Sequence, residues 1–322
     1  QIRADAGAAL RAPDTVATPT LLHAFELPPE SIDEAASRRV FAAASSASDG
    51  WRGAALFLQE GSDLVPLGST GLRRSILGTI GADLPPSPAL VLERSASLEV
   101  QLAAADLDLG EASPAMIAGG ANRALIGEEI VQFARAESLG GAHWRLGGLL
   151  RGRGGTEAQA SLGHRAGAPF VLIDGPLVAL DSARLAGPDP ATLAALGLGD
   201  SVTVTAEIAN PGFSVRPMMP VHSRAAAPTQ GGAAWTWTRR ARGAWGWLDQ
   251  LETPLGEPVE AYAVGLGPVD QPVASWELDQ PRIELAAGTL ADLRARHPGQ
   301  PLWVRQIGLH GLSDPLLLTI LG

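Results

Sequence analysis

The chain contains no cysteine, which excludes disulfides and cysteine-ligated zinc. It contains no lysine either, since all 24 basic residues are arginine. A Schiff-base lysine and a P-loop lysine are therefore ruled out. No apolar run reaches the roughly 18 residues that a membrane-crossing helix needs. The HExxH, GxSxG, GxGxxG and P-loop patterns are all missing. The six histidines (His23, His143, His164, His222, His297 and His310) are scattered without metal-ligand spacing, so no metal and no cofactor is expected. Positive charge is in deficit as well. A net charge of −10 argues against general affinity for nucleic acid or anionic membrane.

What is present reads as a folded protein. Over 322 residues, 46% are hydrophobic and 18% charged, enough for two or three domains with real cores. The most informative stretch is 122–157, NRALIGEEIVQFARAESLGGAHWRLGGLLRGRGGTE. From His143 to Arg151, Trp144, Leu146 and Leu150 fall on one parity and His143, Arg145 and Arg151 on the other, the period of a half-buried strand. Gly127 to Glu137 reads as an earlier strand, and Leu139-Gly140-Gly141-Ala142 as the hairpin turn between them. Glu128 and Glu129 are neighbours on that earlier strand. Their side chains must point to opposite faces, so they do not form a catalytic acid pair. We expect one of them to be structural, paired with an arginine of the 145–153 run. Arg151 and Arg153, set among glycines, have two readings. They could hold an anion. The preferred reading is that the glycines turn the backbone while the arginines hold carbonyls or acids at a domain seam.

The string GEEIVQFARAESLGGAHWRLGGLLRGRGGTE resembles the core of the large tail-tip proteins of phages and phage-derived gene transfer agents, the "megatron" or host-specificity baseplate family. AMIAGGANRALIG (115–127) and HRAGAPFVLID (164–174) fit the same family. Its motif positions here are Glu128, Glu129, Gln132, Phe133, Trp144, Arg145, Arg151, Gly152 and Arg153. Trp144 stands where the family commonly has tyrosine, and Gly154 where a second basic residue is usual. The resemblance implies a virion protein of the baseplate or tail tip, assembled in the bacterial cytoplasm. It would form a homotrimer among other hub proteins and contact a surface glycan or outer-membrane receptor. It also implies that the chain, which opens on Gln1, is the C-terminal part of a longer polypeptide whose glycosidase-like barrel lies elsewhere. This part is expected not to be an enzyme.

Read in order, the chain is a series of short strands with few helices, so the expected class is mainly β, with several small barrel- or sandwich-type domains. Residues 1–70 are read as the end of a tail-attachment-like region, with strands at 21–27, 40–44 and 54–59 and a capping box at Ser31–Glu34. Residues 71–224 are read as one central β domain carrying the motif. Within it, Leu98, Val100 and Leu102 alternate, Asp189-Pro190 looks like a helix start closed by Gly197, and 201–208 alternates cleanly. The proline-rich 209–232 is the expected boundary. Residues 225–322 resemble a fibronectin type III sandwich, whose last two strands are joined by Gly311-Leu312-Ser313-Asp314-Pro315.

One surface candidate stands out. Trp235, Trp237, Trp245 and Trp247 are interleaved with Arg239, Arg240 and Arg242. Exposed, they would form a stacking platform for sugar or host surface. Buried, they would be a cross-strand ladder in a sandwich core, the preferred reading. The alternative function, a carbohydrate-binding accessory region of a cell-wall glycosidase, depends on their exposure.

Overall fold

The computed structural model describes residues 18–29, 37–89, 91–185, 191–229, 231–243 and 254–322. The chain opens with β1 (Leu21–Glu26), β2 (Val40–Ser45), β3 (Ala54–Glu60) and β4 (Asp63–Ser69). It then forms β5 (Leu77–Ile80), β6 (Glu93–Leu102), helix α1 (Pro114–Ala118), β7 (Arg123–Ile126), β8 (Glu129–Gly140), β9 (His143–Arg153), helix α2 (Glu157–Leu162) and β10 (Pro169–Leu172). These six strands close into a barrel in the order β10-β5-β6-β9-β8-β7. The chain next returns to where it began. β11 (Val178–Leu180), β12 (Thr192–Gly197) and β13 (Val204–Ala209) join the first four strands in the order β11-β2-β1-β13-β12-β3-β4. Only the β1–β13 pairing is parallel in that sheet. The expected single unit 71–224 is therefore corrected. Its first part is a barrel inserted within the sheet, and 178–209 belongs to that sheet.

Mainly β architecture is what the short alternating runs predict, and the packing explains the alternation. Leu98, Val100 and Leu102 of β6 point into the barrel, with Trp144, Leu146 and Leu149 of β9 and Phe133 of β8 opposite. The first sheet is covered on both faces, which suits its alanine-rich β2. Val40, Ala42 and Ala44 face the sheet's own core with Trp51 and Leu193. Ala43 faces the barrel, packed with Phe25, Leu77, Leu125 and Val171.

Two sequence expectations fail for identifiable reasons. In β9 the inward face moves from Leu146 to Leu149, not to Leu150, because Gly148 adopts φ +64° and resets the alternation. The helix expected after Asp189-Pro190 is instead β12, from Thr192. It is held between β3 and β13, whose pairing overrides the helix propensity of Leu and Ala. Asp189-Pro190 itself, like the capping box at 31–34, lies outside the described residues.

The last part is a sandwich of two sheets. β14 (Val221–Ala226), β15 (Ala233–Thr238) and β18 (Arg282–Leu285) form one. β16 (Tyr262–Leu266), β17 (Ala274–Leu278), β19 (Pro301–Gly308), β20 (Gly311–Leu312) and β21 (Leu316–Ile320) form the other, ordered β17-β16-β19 with β20 and β21 both on β19. Helix α3 (Ala287–Arg296) caps the core with Leu290 and Leu293. One sheet has three strands and the other five, with successive strands crossing between them to make a β-sandwich. The expected Gly-x-Ser-x-Pro turn lies between β19 and β21. Ser313 is fully buried there, its Oγ accepting from Gln306 N at 2.8 Å and donating to Asp314 O.

Candidate functional site: a buried ion pair and an arginine-lined cleft

The Gly-Glu-Glu and Arg-Gly-Arg-Gly-Gly-Thr segments meet across the start of β8 and the end of β9. Glu129 is fully buried. Its Oε1 accepts from Arg151 Nε at 2.7 Å and from Gly152 N at 2.8 Å, and its Oε2 accepts from Arg151 Nη2 at 2.8 Å. His164 Nε2 lies 2.8 Å from the same Oε2. Arg151 also donates to Pro85 O. Gly152 adopts φ +60°, and a Cβ there would fall 2.9 Å from Glu157 Cα, so both the turn and the approach of α2 require glycine. The outward face expected for Arg151 is thus corrected. The bulge where β9 pairs with Ile130 and Gln132 turns it inward onto a bidentate carboxylate.

Glu128 points the other way and ties the barrel to the segment after β13. It accepts from Asn210 N and Gln159 Nε2, while its carbonyl accepts from Asn210 Nδ2. Phe133 and Trp144 are core, and Arg145 is an exposed strand residue bonded to Glu99 and Glu137.

Burial pushes the Glu129 carboxyl up, but the hydrogen bonds from His164 and Arg151, the Arg151 charge and Gly152 N–H outweigh it and hold the group below its ordinary 4.5. A carboxyl depressed on folding stabilises the native state above its unfolded value and loses that contribution as pH falls through the lower folded value. Acid denaturation of Glu129→Gln should therefore be flatter than wild type below pH 4.5. Parallel acid limbs in the two proteins would contradict this.

Among the described residues, the first two tryptophans of the cluster are not on the surface. Trp235 and Trp237 are 7% and 4% exposed and belong to the sandwich core, where Trp237 meets Tyr262 edge-on at 5.2 Å. They sit on β15, the middle strand of its sheet, so one face had to be core. Trp245 and Trp247 lie outside the described residues. Arg239 donates to Pro254 O, and Arg240 crosses to the barrel, pairing with Glu157 on α2 at 2.8 Å.

A second feature had no signal in local sequence. Where the barrel, the end of β1, the 210–219 segment and the sandwich meet, there is a cleft of about 510 Å³. Arg123, Arg153, Arg216 and Arg242 all line it. Three of them have acids: Asp174, Asp314 and Glu257 respectively for Arg123, Arg216 and Arg242. Arg153 donates Nε to Gln132 Oε1 at 3.0 Å and has no acidic partner among the described residues. Gln132 is 2% exposed, and its Nε2 donates to Ile117 O and Ala121 O. The facing wall is apolar, with Leu27, Ile130, Ile173 and Phe213. Of its charged residues, Arg153 and Arg242 stood out in the sequence, in separate clusters. Arg123, Arg216 and Asp314 come from three further segments. Among the described residues, no group of three acids or histidines could hold a metal ion.

A family model described as "Rcc01698-like, C-terminal" matches residues 75–171. That span is the inserted barrel, from just before β5 to β10, and it includes the Glu129–Arg151 pair. No curated protein matches the chain. Among solved structures, a two-domain fibronectin type III segment of chicken tenascin aligns with 76% of this chain and 98% of its own, at 12% identity and a TM-score of 0.22. The FN1–FN3 domains of chicken CNTN1 align with 92% and 97%, at 10% identity and a TM-score of 0.19. Superpositions this loose assign nothing beyond shared β-structure.

Proposed function

We propose that the chain is a structural component of the baseplate or tail tip of a phage or phage-like gene transfer agent particle. In this reading it positions the tip, packs against other hub proteins as a homotrimer, and contacts the host envelope. It acts by shape and contact, with no bond chemistry of its own. The observation that carries the reading, beside the motif resemblance, is how the chain is bound to itself. The barrel is inserted within the first sheet, the two share an apolar core, and Glu128 of the barrel is bonded to Asn210 after β13. Such construction suits a part that transmits position. Exposed leucines also mark one end of the first sheet, where Leu72 and Leu198 are 74% and 92% exposed beside a shallow groove. Apolar surface of that kind serves contact with another chain. The carbohydrate-binding alternative loses its main support with Trp235 and Trp237 in the core.

The test is location. Gold-labelled antibody raised against this chain, applied to particles purified from cells encoding it, should decorate one end of the tail in electron micrographs. Particles that carry no label, or carry it along the tail shaft or on the capsid, would refute the proposal.

A further inference from the structure

The arginine-lined cleft goes beyond a scaffolding role. Three of its four guanidinium groups are matched by carboxylates, and the carboxylate on its lining among the described residues is Asp314, held by Arg216 at 2.9 Å. Arg153 is different. Its Nε is fixed by Gln132, and Gln132 is itself fixed by two backbone carbonyls. The guanidinium plane is thereby oriented, while its two terminal nitrogens meet no acceptor among the described residues. A cation held in place, with its donor fork open and a cleft in front of it, is preorganised for a planar or tetrahedral anion. The backbone beside it is glycine, with Gly154 and Gly155 at φ +65° and +98° and the Pro28 and Met218 side chains packed close to them. Across the cleft, Phe213 offers an apolar face, already covered on one side by Arg216 at 5.3 Å, and Met218 and Met219 offer adaptable thioethers. A volume of about 510 Å³ falls within the size of small-molecule sites.

We infer that this cleft binds a small organic anion, a carboxylate or phosphate monoester joined to an apolar group, with the acid on Arg153 and the apolar part against Phe213 and Met218. One positive charge without an acidic partner among the described residues calls for one anionic group. The apolar wall excludes inorganic phosphate as a sufficient ligand.

The chain's methionines provide the test, because it has only three. Met218 and Met219 line the cleft, and Met116 lies exposed on α1, off its lining. With methyl-13C methionine in the intact chain, titration with benzoate and with phenyl phosphate should move the Met218 and Met219 signals saturably. The expected dissociation constant is below about 1 mM. Met116 should stay in place, and benzyl alcohol and inorganic phosphate should have little effect. Whichever of the two acids binds more tightly identifies the anion type. Arg153→Gln should weaken binding by about ten- to a hundredfold, the range for loss of charge-assisted hydrogen bonds. Arg165→Gln, on an exposed arginine paired with Asp83, should leave it unchanged. The inference is overturned if neither acid gives a saturable shift, if benzyl alcohol matches benzoate, or if the two variants behave alike. Should Arg153→Gln fail to fold, the comparison of benzoate with benzyl alcohol on the wild-type chain decides the matter.

Discussion

Arg151→Met is expected to destabilise the barrel by about 3–5 kcal/mol, the cost of leaving a buried charge without its partner. Glu129 has no exposed surface, and Arg151 supplies two of its hydrogen bonds and the opposing charge. Methionine fills similar volume, so the loss is electrostatic and not a cavity. Once Arg151 is gone, Glu129 must either stay ionised in a poor environment or take up a proton, and both cost stability. The double variant Glu129→Leu/Arg151→Met should recover part of the loss. Full recovery is not expected, because Gly152 N and His164 Nε2 both lose their acceptor. Denaturant unfolding followed through Trp144, the one tryptophan within 75–171, reports on this unit. A single variant within 1 kcal/mol of wild type would mean that the pair contributes no more than a surface salt bridge, for which about 0–1 kcal/mol is usual.

Glu26→Ala should cost about 2–5 kcal/mol, chiefly from buried donors left unpaired. Glu26 ends β1, fully buried, and accepts from Arg38 Nε, Gly212 N, Ser214 N and Ser214 Oγ. Ser214 Oγ in turn accepts from Arg39 N, so the carboxylate organises the start of the 210–219 segment. Alanine leaves the Gly212 and Ser214 backbone N–H groups without their acceptor and removes the partner of Arg38, which is itself partly exposed. The loss should also be local in character. Hydrogen exchange at Gly212 and Ser214 should speed up more than exchange in β19, which lies in the sandwich. Unchanged protection at those two amides would show that the segment is ordered by something else.

How far the sequence discloses this structure depends on the range of the interaction. Alternation is a local property, and it located β6, β13 and β19 because each has one face in a core. It failed in β9 after Leu146, where one glycine at positive φ changes the phase, a change that residue type alone does not announce. It failed at Thr192–Gly197 because the strand state there is imposed by two neighbours from elsewhere in the chain. The division into sheet, inserted barrel and sheet again was invisible, since no local pattern says which sheet a strand will join. Pairing between a motif glutamate and an arginine of the 145–153 run was readable as a possibility, since both lie on adjacent strands of one hairpin. The cleft was not readable. Arg216 and Met218 lie in a stretch whose prolines mark it only as a boundary, and nothing in their spacing points toward Arg153.

The parallel pairing of β1 with β13 sets an order of events during synthesis. β1 leaves the ribosome long before β13, and Ala24 must wait for Ile208. The inserted barrel, whose strands pair close in sequence around the β8–β9 hairpin, can complete itself in that interval. Its outer face then offers Leu125 and Val171 as a surface on which Phe25 and Ala43 can rest until the remaining strands arrive. The inserted barrel can thus be complete before the sheet whose strands flank it in sequence.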